Sequence, residues 1–112
     1  MKPIKVYISG PITLGDQAIN IRNAIDAGDA VLSAGHMPYV PHLNHFWHMI
    51  YPHHEDQWMA LDRAWLIACE ALIRLPGASV GSDTEVRWAT ALAMPVFHSV
   101  QQFLDWAAWN NL

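Results

Sequence analysis

"ALIRLPGASVGSDTE", residues 71–85, decides how the chain is read. Ala71-Leu72-Ile73-Arg74-Leu75 is a continuous apolar run of strand length, of the kind found where both faces of a strand are buried, and Pro76-Gly77 closes it. Small residues follow, and then a second apolar periodicity predicts a helix from about Asp83 to Ala93. A fully buried strand that feeds a helix through a Gly- and Ser-rich passage belongs to a parallel sheet covered by helices.

The same alternation appears on either side. Ile4-Lys5-Val6-Tyr7-Ile8 reads as a first strand stopped by Ser9-Gly10-Pro11, and Ile21, Ile25, Gly28 and Leu32 recur at helical spacing between Asp16 and Ala34 before the stop signal Gly35. Met37 to Pro41 reads as a short second strand whose prolines suit an edge or a strand end. Trp58, Leu61, Trp65 and Ala68 mark one face of a further helix, Pro95-Val96-Phe97 a fourth strand, and Val100 to Trp109 a last amphipathic helix. The predicted architecture is α/β: a small doubly wound parallel sheet, Rossmann- or flavodoxin-like, of four or five strands with helices on both faces and right-handed crossovers.

Composition narrows the function. The 112 residues suit one domain spanning 1–112, and with 53% hydrophobic against 14% charged residues the chain is expected to fold throughout. Six Lys plus Arg against ten Asp plus Glu leave a net charge of -4, which argues against a polymeric nucleic-acid partner. The single Cys69, the absence of a signal-like leader after Met1 and the lack of any apolar run near ~20 residues point to a cytoplasmic protein without a membrane partner. Six tryptophans, several on helix faces, suggest a homo-oligomer, dimer or higher, with Phe103, Trp106 and Trp109 of the last helix as a contact.

In an open α/β sheet, ligands gather at the carboxyl ends of the strands. That edge receives Ser9-Gly10-Pro11, the run "PHLNHFWHMIYPHH" at 41–54, the start of the helix carrying Asp62, and the passage from Pro76 to Glu85. Two carboxyl groups in different protonation states suit the cleavage of a glycosidic bond, and Glu85 and Asp62 are the available pair. For Glu85 the alternative is a capping box with Ser82, and for Asp62 an exposed helix acid paired with Arg63 or Arg22. Ser9, Gly10, Pro11, Ser79, Gly81 and Ser82 offer small residues and backbone N–H groups for a phosphate or sugar hydroxyl, or serve simply as turns. Arg74, inside an apolar strand, calls for an anion, most simply a neighbouring carboxylate.

The 41–54 run holds five of the seven histidines. His42, His45 and His48 have a spacing that would suit metal ligands on a helix, zinc first, but the flanking prolines and the absence of a supporting motif favour a lid, in which Trp47 and His45 contact a nucleobase. Neither a metal nor a cofactor is expected.

"VYISGP", "AGHMPYVP", Asp62 and "LIRLPGASVGSDTE" together resemble the nucleoside 2-deoxyribosyltransferase-like superfamily over nearly the whole chain. The resemblance implies cleavage or transfer at the N-glycosidic bond of a nucleoside or nucleoside 5′-monophosphate, with Glu85 as nucleophile, Asp62 on the base side and Tyr7 steadying Glu85. Ser79, where the transferases carry an aspartate, is similar to the 5′-monophosphate hydrolases, whereas the loop "SGPITLG" lacks their arginine. The alternatives are a non-catalytic nucleotide-binding module and, behind it, a metal-binding accessory domain.

Overall fold

A computed structural model describes residues 2–110. Four strands form one parallel sheet: β1 (Lys5–Ser9), β2 (Met37–Tyr39), β3 (Ala71–Arg74) and β4 (Val96–Phe97), in the order β2-β1-β3-β4. Val6 pairs with Pro38 on one side and Ala71 on the other, while Ile73 pairs with Phe97. The direction of the order reverses between β1 and β3, so the crevice at their carboxyl ends is the natural binding place of such a sheet. This is the flavodoxin-like α/β fold expected from the alternation of elements.

Side chains of β1 alternate between the two faces, and this decides what each face does. Val6 and Ile8, with Ile73, pack against α1 (Gln17–Ser33) and α5 (Val100–Asn110) in the larger core cluster. Tyr7 and Leu72 turn the other way, joining Leu66 of α3 (Glu55–Ile67) and Ala89 of α4 (Val80–Ala91). Tyr7 and Ser9, two residues apart, therefore face α4 at the end of the strand.

Four helix readings change, the start of the helix that carries Glu85 among them. On α1 the buried face is Ile21, Ala24, Ala27, Gly28 and Val31, while Ile25 and Leu32 are exposed. The small residues bring α1 close to the sheet: a Cβ on Gly28 would lie 2.6 Å from Val40 Cγ2. On α3, Asp62 and Leu66 are buried and Trp65 is half-exposed, stacked on Tyr39 with centroids 5.8 Å apart. The 41–54 run is largely helical, a 3-10 turn over Pro41–Leu43 leading into α2 (Asn44–Ile50), because Pro41 sits at a helix start, where a missing N–H costs nothing. Of the expected α5 contact residues, Phe103 is fully buried, Trp106 packs on Phe97 at 5.3 Å, and Trp109 is exposed.

Candidate functional site

Helix α4 begins three residues earlier than the sequence periodicity indicates. Ser79 is its N-cap, its side chain accepting a hydrogen bond from the Ser82 N–H at 3.1 Å. Ser82 thus lies inside the helix, its Oγ buried with no hydrogen-bond partner among the described residues, and the alternative reading of Glu85, a capping box with Ser82, does not form. Glu85, one turn further along the same face, instead reaches across to β1. Its Oε1 accepts from Ser9 Oγ at 2.7 Å and its Oε2 from the Tyr7 hydroxyl. The alternation of β1 presents two hydroxyls to two oxygens, so the carboxylate is fixed in orientation as well as position.

Burial raises the Glu85 pKa, while the hydrogen bonds from Tyr7 and Ser9 and the charge of Arg74 act in the opposite direction. Burial first, then the Glu85 charge, holds the Tyr7 phenol far above its ordinary range, so Tyr7 remains a donor. Arg74 finds the carboxylate partner expected of it: Nη2 lies 3.3 Å from Asp83 Oδ1 and donates to Gly77 O at 2.8 Å, bracing the turn between β3 and α4.

Asp62 lies opposite. Its Oδ1 accepts from the Tyr39 hydroxyl at 3.1 Å and from Asn44 Nδ2 at 3.2 Å. Burial, followed by the nearby Glu85 charge, pushes its pKa up to about 7 against the pull of those two donors. Neither Arg63 nor Arg22 pairs with it: Arg22 lies 3.9 Å from Asp26, and Arg63 stands over the Trp88 ring at 5.4 Å.

Both acids line a cavity of about 730 Å³, together with Gly10, Asn44, His45, Trp58, Ser79, Gly81 and Ser82 among others. This is ample for a mononucleoside or mononucleotide. A second hollow of about 310 Å³ beside Arg74, Pro76 and His98 holds no carboxylate.

The candidate residues divide by what they touch. Gly10, His45, Ser79, Gly81 and Ser82 line the cavity with both acids. Ser9 does not: it is fully buried and its hydroxyl is committed to Glu85. Pro11 is buried in the loop, its carbonyl 3.2 Å from His42 Nε2. Trp47 also stands outside the lining, half-exposed, its ring edge-on to Trp58 at 5.1 Å. The aromatic wall is Trp58, whose Nε1 donates to His48 Nδ1 at 2.8 Å. The i, i+4 spacing of Trp58 and Asp62 carries that signal in the sequence; nothing in it singles out Asn44 or Tyr39.

The three evenly spaced histidines do not converge. His42 is buried with Nε2 against the carbonyls of Gly10 and Pro11, at 3.1 and 3.2 Å, while His45 and His48 border the cavity. Among the described residues no group of three or more His, Cys, Asp or Glu is arranged to hold a metal ion, and no helix is long and apolar enough to cross a membrane.

Among solved structures, the chain is similar to a 2-deoxyribosyltransferase from Bacillus psychrosaccharolyticus, with a TM-score of 0.61 and 19% identity over 82% of this chain and 69% of that one. The shared feature is the fold. No curated protein sequence matches. Residues 4–99 match the family described as a domain of unknown function, DUF7768, and the chain belongs to that family.

Proposed function

We propose that the protein cleaves the N-glycosidic bond of a nucleoside or nucleoside 5′-monophosphate, with hydrolysis favoured over transfer of the sugar to a second base. The observation that carries this reading is the pair of acids on one cavity: Glu85 with donors on both oxygens, Asp62 with a pKa lifted to about 7. A glycosidic bond to a base breaks most readily when the leaving nitrogen gains a proton as the sugar carbon gains an electron pair.

In the proposed cycle a Glu85 oxygen attacks C1′, and the C1′–N electrons pass to the base. The Asp62 proton moves to the base, so that free base leaves, Asp62 becomes a carboxylate and the sugar is held on Glu85 as an ester. Water then attacks C1′, its proton returns to Asp62, and the ester C–O electrons return to Glu85. Tyr7 and Ser9 hold Glu85 in line throughout, and the Trp58 face supports the base.

The start of α4 favours a 5′-phosphate over a bare hydroxyl. Ser79, Gly81 and Ser82 line the cavity at the positive end of that helix. Likeness of fold to a 2-deoxyribosyltransferase agrees with a nucleoside-derived substrate.

The test is to incubate the protein with ribo- and deoxyribonucleosides and their 5′-monophosphates and follow free base by chromatography. Release that disappears in Glu85→Gln supports the proposal. Saturable nucleotide binding without release from any substrate contradicts it and makes the protein a binding module.

A further inference from the structure

Asn44, on the cavity wall, and Tyr39, outside it, close a triangle with Asp62. Asn44 Nδ2 donates to Asp62 Oδ1 and to the Tyr39 hydroxyl, each at 3.2 Å, and the Tyr39 hydroxyl donates to the same Asp62 oxygen at 3.1 Å. Both N–H groups of the amide and the single phenolic proton are used. With Asp62 as the carboxylate the amide orientation follows from chemistry, because turned over it would set its carbonyl against a charged oxygen. Every donor acts on Oδ1, and no hydrogen bond from a described residue reaches Oδ2. A proton on Oδ1 would compete with two donors for the lone pairs of that oxygen; on Oδ2 it has no competitor.

We propose that Asn44 and Tyr39 are positioning residues that assign the acid proton of Asp62 to Oδ2 and set the pH at which it is lost. The inference rests on the proposed function for its catalytic meaning, though not for its physical content. Since both donors stabilise the carboxylate, they lower the pKa that burial and Glu85 raise, and keep the acid able to release its proton near neutrality. The Tyr39 ring also lies against that of Tyr7, centroids 5.5 Å apart, so the residue orienting the acid packs on the one orienting the nucleophile. The titratable groups around Asp62 are Glu85 from α4, Tyr7 from β1 and Tyr39 from β2, with His45 and His48 of α2, His53 and His54 just ahead of α3 and Glu55 of its own helix on the shared cavity.

The test uses protein carrying 13C at its aspartate carboxyls, with the Asp62 signal identified by its loss in Asp62→Asn. Its titration is followed in the native sequence, in Asn44→Leu and in Tyr39→Phe. Each substitution removes one hydrogen bond to a carboxylate, so the midpoint is expected to rise by about one pH unit in each variant. The basic limb of kcat/KM for base release is expected to rise in step. A residue that only supports the fold would change thermal stability and leave the midpoint in place. A midpoint that stays or falls in the folded variants overturns the proposal; should Asn44→Leu fail to fold, Tyr39→Phe, which keeps the ring, decides alone. The carboxyl titration is read whether or not any substrate turns over, so failure of this inference is distinguishable from failure of the proposed activity.

Discussion

The floor and the cover of the cavity are built on opposite principles. The floor comes from β1 and α4, where Tyr7, Ser9 and Glu85 are buried and hydrogen-bonded to one another through the alternation of the strand. The cover comes from α2 and the start of α3, where Phe46, Trp47, Met49, Ile50 and Tyr51 are all half-exposed or more, and aromatic edges rather than hydrogen-bonded carboxylates organise the contacts. A buried polar group left unpaired costs about 1–3 kcal/mol, so the floor tolerates little change. Ring contacts contribute only about 0.5–1.5 kcal/mol each, so the cover tolerates much. Under the proposed function, chemistry belongs to the floor and to Asp62 above it, and base selection belongs to the cover.

The largest effect should come from the centre of the floor. Glu85→Gln is expected to reduce base release by about four orders of magnitude while its far-UV circular dichroism matches that of the native chain, since the amide keeps an acceptor for one of the two hydroxyls. Near-native turnover by this variant would dissolve the division between floor and cover.

Asp62→Asn comes next, removing the acid at a cost of about 10²- to 10³-fold in kcat/KM. Its stability should change in the opposite sense. The folded pKa of about 7 lies above the unfolded value of ~3.9, so the native state holds the extra proton between them and loses stability as pH rises through that window. Allowing for the solvent that reaches the carboxyl, Asp62→Asn should be more stable than the native chain at pH 8 by on the order of 1 kcal/mol, with no gain at pH 4. Thermal unfolding at the two pH values checks this.

Tyr7→Phe takes one donor from Glu85 and is expected to cost about ten- to a hundredfold in kcat/KM, with KM nearly unchanged because Tyr7 touches no substrate. The cover should give the smallest effects. Trp58→Ala, which strips the cavity wall, is expected to raise KM about tenfold, and Trp47→Ala, which removes only the ring behind that wall, about threefold or less. Equal losses from the two would mean that Trp47 meets the substrate directly.

The contrast between floor and cover also explains what was legible in the sequence. The strands and the parallel α/β class followed from local patterns, because the apolar run at 71–75 and the β-branched run at 4–8 mark buried strands residue by residue, whereas the order β2-β1-β3-β4 and the shared facing of Tyr7 and Ser9 depend on which strands pair. Glu85 and Asp62 could be paired because the sheet edge collects both. The start of α4 lies earlier than periodicity placed it because Ser79 and Ser82 are both good caps, and the local sequence does not decide between them. In the cover, composition announced aromatics and histidines but not which faced inward: Trp47 and Trp58 differ in role through the packing of α2 against α3, which periodicity does not specify. Asn44 and Tyr39 left no local trace, since their importance lies in a triangle closed by residues from three elements.

Anomeric stereochemistry reports directly on whether Glu85 forms a bond to C1′. With methanol added as a competing acceptor during cleavage of a β-nucleotide, the methyl glycoside formed does not mutarotate, and its configuration is read by proton NMR. Two displacements through a Glu85 ester give the β-methyl glycoside. A product that is wholly the α-anomer would mean a single displacement by the acceptor itself and would contradict the nucleophilic role assigned to Glu85.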